Sequence, residues 1–236
     1  VREAVRHAPG RVLDVYLTEA ALERHSEIWD EAVAAGLYVH VTTQQVMDAM
    51  SPDAQGLLAV VATEEATGSE ALTAALEGAR LVAVLTQAQD PGNAGTIIRA
   101  ADAAGADAVV LVRGSVDPTA PKVVRSTAGS LFHLPVVTGV ALDDAVTALH
   151  NAGLTVLAAD GRGDFDLFEA ESLLEAPSAW LLGNEAHGLP SEALSRADAV
   201  VSIPIYGKAE SLNVAAAAAV CLYASARAQA QNSGRS

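Results

Sequence analysis

Apolar and polar positions alternate along the chain in blocks that predict strands and helices in turn. Short, almost wholly apolar runs, typical of strands buried on both faces, occur at 81–85, 108–112, 134–137, 155–159, 179–182 and 199–205. Segments with the apolar spacing of helices lie between or after them, at 93–104, 122–128, 142–151 and 212–229. Helices that alternate with buried strands predict an α/β fold with a mostly parallel sheet flanked by helices.

The first 62 residues show a second alternation of the same kind. Strand patterns at 11–17, 37–41 and 57–62 are separated by helical patterns at 18–35 and 44–50, which predicts a small α/β N-terminal domain. Residues 63–78 are poor in large apolar side chains, so they are predicted to form a linker with one helical turn. We expect the main domain at 79–229 and a frayed tail at 230–236. Because the first residue is Val1 rather than Met, we expect the N-terminal domain to be incomplete at its start.

Composition limits the classes of protein that the chain fits. Of its 236 residues 51% are hydrophobic, and no apolar run reaches the ~18 residues of a membrane-spanning helix. No charged segment leads into a short apolar core, as in a signal peptide. The single cysteine, Cys221, excludes an intramolecular disulfide and a zinc site built on several cysteines. We therefore expect a globular, cytoplasmic protein with neither a metal nor a membrane partner.

The formal net charge of −15 opposes unspecific binding of nucleic acid, because that affinity comes mainly from Lys and Arg side chains that neutralise phosphates. A role on RNA therefore requires that the basic residues be concentrated. Those in or near the loops described next are Arg99, Arg113, Lys122, Arg125 and Lys208. The alternative is a scattered, solvated set of charges.

Glycine-bearing polar loops follow three of the predicted strands. They occupy 86–96, 183–189 and 206–213, and the last leads into an alanine-rich helix. In open α/β sheets the ligand crevice lies at such strand ends, where glycine lets backbone approach a ligand closely. Strand, glycine turn and helix also recur throughout α/β proteins, so this pattern alone leaves a purely structural role open.

Three motifs in these loops carry a family resemblance. They read Asn93-x-Gly-x-x-x-Arg99-x-Ala, Gly183-Asn184-Glu185-x-x-Gly188-Leu189 and Ile203-Pro204-x-x-Gly207-x-x-x-Ser211-Leu212-Asn213-Val214. Together, and in this order, they resemble the three motifs of the SpoU/TrmH family of RNA ribose 2′-O-methyltransferases, within the SPOUT superfamily. The resemblance covers residues 81–229, and the joint match is specific where each motif alone is weak.

The resemblance implies a fold, a cofactor and partners. The main domain would carry a C-terminal trefoil knot and use S-adenosylmethionine as the methyl donor. The N-terminal domain resembles one that binds the RNA substrate. The two-domain plan favours ribosomal RNA (rRNA) as the substrate by family analogy, with transfer RNA as an alternative. A catalytically silent RNA-binding or assembly factor of the same fold is a further alternative, which the intact Arg99, Glu185 and Asn213 oppose.

The resemblance also assigns roles to individual residues. The implied catalytic set is Arg99, Asn93, Glu185, Ser211 and Asn213. The implied cofactor-binding set is Thr86, Leu182, Gly183, Asn184, Ile203, Gly207 and Leu212. RNA contacts are expected from Arg113, Lys122, Arg125 and Lys208. Ser211 is also a candidate cap for the following helix, and capping is an alternative role for Asn213.

Arg99 is the residue to which the family assigns activation of the ribose hydroxyl. A guanidinium pKa above ~12 leaves almost no neutral arginine at pH 7, so a free base is unfavourable. We therefore favour stabilisation of the developing alkoxide and of phosphate over proton abstraction. The helical pattern at 93–104 turns Ala94, Ile97 and Ile98 toward the sheet and Arg99 away from it.

A homodimer is expected, because the family pairs through the knotted region and the C-terminal helix. The helix pattern at 212–229 places small and apolar residues around most of its circumference, with Val214 and Ala218 on one side and Val220 and Tyr223 on another. One side is enough to pack on a sheet, so the second predicts a partner. Burial of both sides within one subunit is the alternative.

Rival motifs are absent from the sequence. The glycines of the first loop do not follow GxGxxG, and Gly207-Lys208 lacks the upstream glycine of a phosphate-binding loop. No GxSxG elbow occurs, and the six histidines show no metal-ligand spacing. A nucleotide-binding enzyme of different chemistry stays open, and binding of NAD instead of S-adenosylmethionine would identify it.

Overall fold

The computed structural model describes residues 1–63, 66–184 and 188–233, and the chain divides into two compact units, Val1–Glu64 and Glu65–Ser236. Glu185, which belongs to the predicted catalytic set, lies outside the described residues.

The first unit is a three-stranded sheet with helices. Its elements are α1 (Arg2–His7), β1 (Val12–Thr18), α2 (Glu19–Arg24), α3 (Ser26–Ala34), β2 (Tyr38–Thr42), α4 (Gln44–Met50) and β3 (Leu57–Val61). β1 lies in the centre, parallel to β2 and antiparallel to β3. The residues buried in this unit include Val15, Leu17, Ala21, Ile28, Ala32 and Met47. A small α/β arrangement of these elements is therefore present, as predicted.

One predicted helix of this unit is wrong. The pattern at 18–35 predicts a single helix, whereas the structure has α2 and α3, which meet at His25 with φ −135°. Thr18 caps α2 by accepting a hydrogen bond from the backbone N–H of Ala21 at 3.2 Å. A helix cannot continue through a residue with that backbone conformation, so the apolar period bridges two short helices.

The second unit is a larger α/β domain. Its strands are β4 (Ala66–Thr67), β5 (Leu81–Leu85), β6 (Ala108–Val112), β7 (Val136–Val140), β8 (Thr155–Ala159), β9 (Phe165–Asp166), β10 (Ser178–Leu182) and β11 (Ala199–Ser202). Its α-helices are α5 (Gly68–Ala75), α6 (Pro91–Ala103), α7 (Pro121–Ser126), α8 (Leu142–Asn151), α9 (Glu171–Leu174), α10 (Ser191–Arg196) and α11 (Val214–Ser233).

The strands of this domain form one sheet in the order β4-β7-β6-β5-β10-β8-β11-β9, and every neighbouring pair is parallel. The predicted α/β class with a mostly parallel sheet is confirmed. β10 lies between β5 and β8, so strands that are far apart in sequence end side by side at one edge of the sheet. The trefoil knot stays a prediction.

Helices cover both faces of this sheet. Successive strand residues point to opposite faces, so Ala83 and Leu85 pack with Ile97 and Ile98 of α6, whereas Val82 and Val84 pack on the other side. α11 shares the face of α6, and α5, α8 and α10 contribute to the opposite core. All residues of β5, β6 and β10 are buried, which explains why each reads as a continuous apolar run.

Buried polar groups fix α11 against the centre of the sheet. Trp180 donates its indole N–H to the Ser225 hydroxyl at 2.9 Å. Gln229 donates its amide N–H to the backbone oxygens of Arg80 at 3.1 Å and Ala176 at 3.0 Å. A buried polar group that lacks its hydrogen bond costs ~1–3 kcal/mol. These contacts therefore favour one position of α11 against the sheet over shifted ones.

Three predicted boundaries of the second domain need correction. The segment 63–78, predicted as a linker with one turn, contains β4 and the two-turn helix α5, whose Leu72 is buried. The strand predicted at 199–205 ends at Ser202, because Pro204 cannot donate a ladder hydrogen bond. The strand predicted at 134–137 begins only at Val136, after Pro135.

The predicted frayed tail is also partly wrong. α11 continues through the predicted start of the tail to Ser233, and residues 234–236 lie outside the described part of the chain. Among the described residues, no helix combines the length and the apolar character that crossing a membrane requires.

Candidate functional site

Two predicted loops meet where β5 and β10 end. Leu85 and Leu182 are paired residues of these parallel strands. Immediately beyond them, Thr86 donates both its backbone N–H and its hydroxyl to the Leu182 carbonyl oxygen, each at 2.9 Å. Thr86 and Leu182 are each 1% exposed. These two predicted cofactor residues therefore form a buried junction below the loops.

The first loop is held from two sides. Asn184, in the second loop, donates its side-chain N–H to the Gln87 carbonyl oxygen at 2.9 Å. On the other side, Ser115 accepts from the Ala88 N–H at 3.2 Å, and Gln89 donates to the Gly114 carbonyl oxygen at 2.6 Å. Residues 87–89 are thus tied to both the loop after β10 and the loop after β6.

The first loop ends at a capped helix start. The Asp90 carboxylate accepts a hydrogen bond from the Asn93 backbone N–H at 2.7 Å, and Pro91 occupies the first helical position. A capping carboxylate followed by proline is a strong helix start, stabilising by ~1 kcal/mol. It fixes Asn93 in the first turn of α6. Arg99, further along α6, is exposed, whereas Ile97 and Ile98 are buried.

The starts of α6 and α11 are joined through their two asparagines. Asn213 donates its side-chain N–H to the Asn93 side-chain oxygen at 3.1 Å. The Asn213 side-chain oxygen caps α11 by accepting from the N–H groups of Ala215 at 2.9 Å and Ala216 at 3.4 Å. Further along, the Tyr223 hydroxyl donates to the Ala103 carbonyl oxygen at 3.1 Å. α11 therefore runs beside α6 in the same direction, and residues of the first and third motifs meet.

The third loop stands open to solvent. Residues 205–213 are all exposed, and Tyr206 is 87% exposed. A Cβ added at Gly207 would meet no atom within 4 Å, so nothing in the chain requires glycine there. Ile203, at the base of this loop, is half-buried. The backbone of this loop and the side chains of Ile205 and Leu212 are therefore accessible to a ligand.

A further acidic side chain lies between the second and third loops. β8 is the strand between β10 and β11, and Asp160 follows it directly. Arg162 donates its Nε–H to the Asp160 carboxylate at 3.1 Å, and this hydrogen bond holds the pKa of Asp160 below its ordinary value. Asp160 is therefore ionised at neutral pH.

The profile of the SpoU rRNA methylase family matches residues 80–223, more than half of the chain. The chain belongs to this family. The match begins just before β5 and ends within α11, so it contains all three loops.

Individual relatives of the SpoU rRNA methylase family agree with the profile. The 23S rRNA (guanosine(2553)-2′-O)-methyltransferase RlmP of Bacillus subtilis is 42% identical over 151 residues, which is 63% of this chain and 58% of that enzyme. The chain thus spans little more than half the length of RlmP. The 23S rRNA (guanosine-2′-O-)-methyltransferase RlmB of Pseudomonas syringae pv. tomato is 31% identical over 235 residues, covering 96% of this chain and 92% of that one.

A solved structure matches almost the whole chain. The SpoU methyltransferase AviRb from Streptomyces viridochromogenes, in complex with the cofactor AdoMet, superposes with a TM-score of 0.81 and 30% sequence identity. The superposition covers 97% of this chain and 86% of that one. Each of the two units therefore has the fold of the corresponding part of AviRb.

Ser211 has a different place from the one predicted for it. It lies in the exposed loop, two residues before the α11 cap. The prediction that Ser211 caps α11 is wrong, because the helix begins at Val214 and Asn213 occupies the capping position. Asn213 caps the helix and contacts Asn93 of the first motif, and its predicted part in catalysis stays a prediction.

The predicted RNA-binding residues lie on the surface of the second unit, Glu65–Ser236, which is the SpoU domain. Arg113, Lys122, Arg125 and Lys208 are all exposed. Lys122 and Arg125 lie on α7, which packs against α6 at Gly95. A Cβ on Gly95 would come within 2.7 Å of the Val123 carbonyl oxygen. Glycine at this motif position therefore brings two basic residues close to the helix that carries Arg99.

Sequence reasoning missed the residues that hold the site together. Gln87, Gln89, Asp90 and Ser115 were not singled out. Only Asp90 carries a sequence signal, because an aspartate followed by proline is typical of a helix start. The contacts of Gln87, Gln89 and Ser115 cross between loops and leave no periodic trace.

Replacing Asn213 by alanine is expected to weaken both cofactor affinity and turnover. The change removes the α11 cap, at a cost of ~1 kcal/mol, and the contact to Asn93. Asn213→Asp and Asn213→Ser provide the matched comparison, because both retain a capping oxygen and lack the side-chain N–H. Calorimetric titration with S-adenosylmethionine, thermal unfolding and turnover would be measured for each. Wild-type turnover in Asn213→Asp would show that capping is the whole role.

Proposed function

We propose that the chain transfers a methyl group from S-adenosylmethionine to a ribose 2′-hydroxyl in RNA, with rRNA as the substrate. The observation that carries the proposal is the contact between Asn213 and Asn93 at the first turns of two helices, in the domain whose α6 also carries Arg99. The names of RlmB and RlmP, both 23S rRNA 2′-O-methyltransferases, and AviRb bound to AdoMet support this substrate and cofactor. An rRNA substrate implies a cytoplasmic reaction.

The loops at the carboxyl edge of the sheet fit S-adenosylmethionine. Backbone approach is unobstructed at Gly207, and Ile205 and Leu212 offer apolar surface for an adenine ring. Exposed backbone in the third loop supplies hydrogen-bond donors and acceptors. When bound, the cofactor supplies an electrophilic methyl group on a sulfonium. Ile203, Gly207 and Leu212 would line the cofactor directly, and Thr86 and Leu182 would support them from below.

Charged and amide side chains would handle the ribose. The 2′-oxygen would gain the methyl group as its proton leaves to solvent and the carbon–sulfur bond breaks, which leaves S-adenosylhomocysteine. Negative charge develops on the oxygen before the new bond is complete. Arg99 would stabilise this charge and an adjacent phosphate, since an aligned cation is worth most where charge develops. Asn93 and Asn213 would orient the ribose or Arg99. Alignment alone supplies several kcal/mol of the barrier reduction.

RNA would lie over α6 and α7. The exposed Lys122 and Arg125 on α7, Arg113 after β6 and Lys208 in the third loop supply the positive charge that a chain of net charge −15 otherwise lacks. The N-terminal unit would contribute further contacts to the RNA. Because phosphate contacts release counterions, affinity for rRNA should fall steeply with salt.

A methylation assay tests the proposed function. The purified chain would be incubated with S-adenosylmethionine carrying a tritiated methyl group and, separately, with rRNA, assembled large subunits and transfer RNA. A ribose methyl group protects the adjacent phosphodiester from alkaline cleavage. The proposal expects tritium in rRNA, within alkali-resistant dinucleotides. Label in alkali-labile nucleotides would indicate methylation of bases and contradict methylation of the ribose. Label in transfer RNA alone would identify transfer RNA as the substrate instead of rRNA. RNA binding without label would favour a catalytically silent factor.

The proposed working form is a homodimer that pairs through α11. The helix buries Ala218, Cys221 and Leu222 in its own subunit, where burial raises the pKa of Cys221 to about 12. Its other side lines an open groove of about 480 Å³ together with α9, to which Val220, Tyr223 and Phe168 contribute. Phe168 is 59% exposed and Tyr223 is 53% exposed. This mostly apolar groove, whose lining also includes Glu171, Arg227 and Gln231, suits a second copy of the same surface.

Light scattering at micromolar concentration should give about twice the 24.1 kDa of one chain. Val220→Glu is expected to produce the single-chain mass, because it places a charge in the groove between α9 and α11. It is also expected to weaken cofactor binding, because α11 belongs both to this groove and to the proposed cofactor site. Tyr223 is a less clean choice, since its hydroxyl also bonds Ala103 within the subunit. The control is Thr147→Glu, at an exposed position of α8, which covers the face of the sheet opposite to α11. A wild-type mass near that of one chain would rule out the dimer.

A further inference from the structure

Asn184, in the second loop, links that loop to the first loop, which leads into α6. Its side-chain N–H donates to the Gln87 carbonyl oxygen at 2.9 Å. Its backbone N–H and carbonyl oxygen each pair with Gly188 at 2.9 Å, which makes residues 184 and 188 a small antiparallel bridge. These contacts engage the backbone N–H, the backbone carbonyl oxygen and one side-chain N–H of Asn184 with neighbouring parts of the chain.

Gln87 needs such a contact because of its backbone conformation. Its φ is +57°, in the left-handed region, which residues with a Cβ adopt only against steric repulsion from the following carbonyl oxygen. Glycine is the usual residue there, and glutamine has no short side chain that would bond locally in compensation. The hydrogen bond from Asn184 falls on the carbonyl of this same residue. It therefore holds the loop in a conformation that Gln87 by itself disfavours.

The conformation of Gln87 determines where α6 begins. Three residues later, Asp90 caps α6 through Asn93, and α6 carries Arg99 about one and two-thirds turns beyond that contact. The contacts of Ser115 and Gln89 hold the far side of the loop, and Asn184 ties Gln87 to the second loop, one residue beyond the hydrogen bonds from Thr86 to Leu182. An altered turn at Gln87 would move the cap and the helix with it.

We propose that Asn184 is a positioning residue, which fixes Arg99 and Asn93 relative to the cofactor by holding Gln87 in the left-handed conformation. The inference rests on the proposed methyl transfer to RNA. It assigns Asn184 a role in alignment in place of the direct cofactor contact expected from the sequence. The reaction is sensitive to such alignment, because small misplacements of reacting groups cost up to ~100-fold in rate.

The first test separates turnover from cofactor binding. Asn184→Ala removes the tie, and Asn184→Asp keeps the shape of the side chain but replaces the N–H donor by an acceptor. Both are expected to lower the turnover number about 10-fold or more while the dissociation constant for S-adenosylmethionine, measured by calorimetry, changes less than about threefold. Asn151→Ala, at the exposed end of α8, is the control. Equal losses in affinity and turnover would instead make Asn184 a cofactor contact.

The second test is a rescue at Gln87. Glycine adopts positive φ without the Cβ penalty, so Gln87→Gly should preserve the turn even when the tie is absent. The double variant Asn184→Ala/Gln87→Gly is expected to recover most of the turnover that Asn184→Ala loses, measured against Gln87→Gly alone. Additive losses in the double variant would overturn the inference, because a tie acting elsewhere gains nothing from glycine at 87. An inactive wild-type chain would refute the proposed function and is seen before any variant is made.

Discussion

Arg99→Ala is expected to lower the turnover number for methyl transfer 100-fold or more while cofactor binding stays nearly intact. Loss of one aligned electrostatic group at a developing charge typically costs ~100- to 1,000-fold in rate. Arg99 is exposed on α6, whereas the neighbouring residues Ile98 and Ala101 are buried against the sheet. The substitution therefore leaves the core of the domain unchanged, so the loss should appear in turnover and not in folding.

Two further arginine variants make this result specific. Arg80→Ala removes the same charge from an exposed position just before β5, at the opposite end of the strand whose carboxyl end leads into the site. It is expected to retain wild-type turnover. Arg99→Lys keeps the charge and loses the planar fork, so it should fall between wild type and Arg99→Ala. If Arg99→Ala retained more than about a third of wild-type turnover, Arg99 would have no part in the mechanism.

The pH dependence of these variants distinguishes the two roles considered for Arg99. A base must lose its proton, so a turnover that depends on an arginine base rises with pH through the physiological range. An electrostatic stabiliser is charged throughout that range and contributes no such slope. Arg99→Lys decides between them, because exchange of one base for another would change the pH profile, whereas exchange of one permanent cation for another would not. An unchanged profile supports stabilisation.

Parallel strands buried on both faces were the most predictable part of the fold. The predicted strand 155–159 and helix 142–151 coincide with β8 and α8. Both faces of the sheet are covered, so a buried strand reads as an uninterrupted apolar run whose ends are where the chain reaches water. The helices between them carry their apolar stripe at the period of 3.6 residues.

Elements that depend on distant partners were less predictable. β4 and α5 lie in a segment whose small residues resemble a linker, and they are ordered by pairing of Ala66 and Thr67 with β7, about seventy residues away. Local composition contains no trace of that partner. The break at His25 was missed for a different reason, because two short helices can share one apolar period.

The site divides in the same way. The joint motif match predicted that the first and third loops belong to one site, and the contact between Asn93 and Asn213 brings them together. It did not predict Gln87 with its positive φ, because no local rule favours glutamine in that conformation. The alanine-rich start of α11 was apparent, yet the choice between Ser211 and Asn213 as its cap depended on where the helix begins.

Gly183→Ala is expected to abolish detectable binding of S-adenosylmethionine and to lower the thermal stability of the SpoU domain. A Cβ at residue 183 would lie within 2.6 Å of the Leu189 backbone nitrogen and would also overlap the Gly188 backbone. Those are backbone atoms, so no side-chain rotation relieves the overlap, and enforced overpacking costs ~1–3 kcal/mol. The bridge between Asn184 and Gly188 would open, which also releases the tie to Gln87.

Two other glycines at the same edge of the sheet separate packing from ligand approach. Gly161→Ala, in the loop after β8, adds a Cβ that meets no atom within 4 Å, so it should retain wild-type stability and cofactor affinity. Gly207→Ala also adds a Cβ into open space and should leave the unfolding temperature unchanged. If Gly207 lines the cofactor, Gly207→Ala alone should weaken binding without loss of stability, whereas Gly183→Ala loses both. Wild-type affinity and unfolding temperature in Gly183→Ala would contradict the packing described for the second loop.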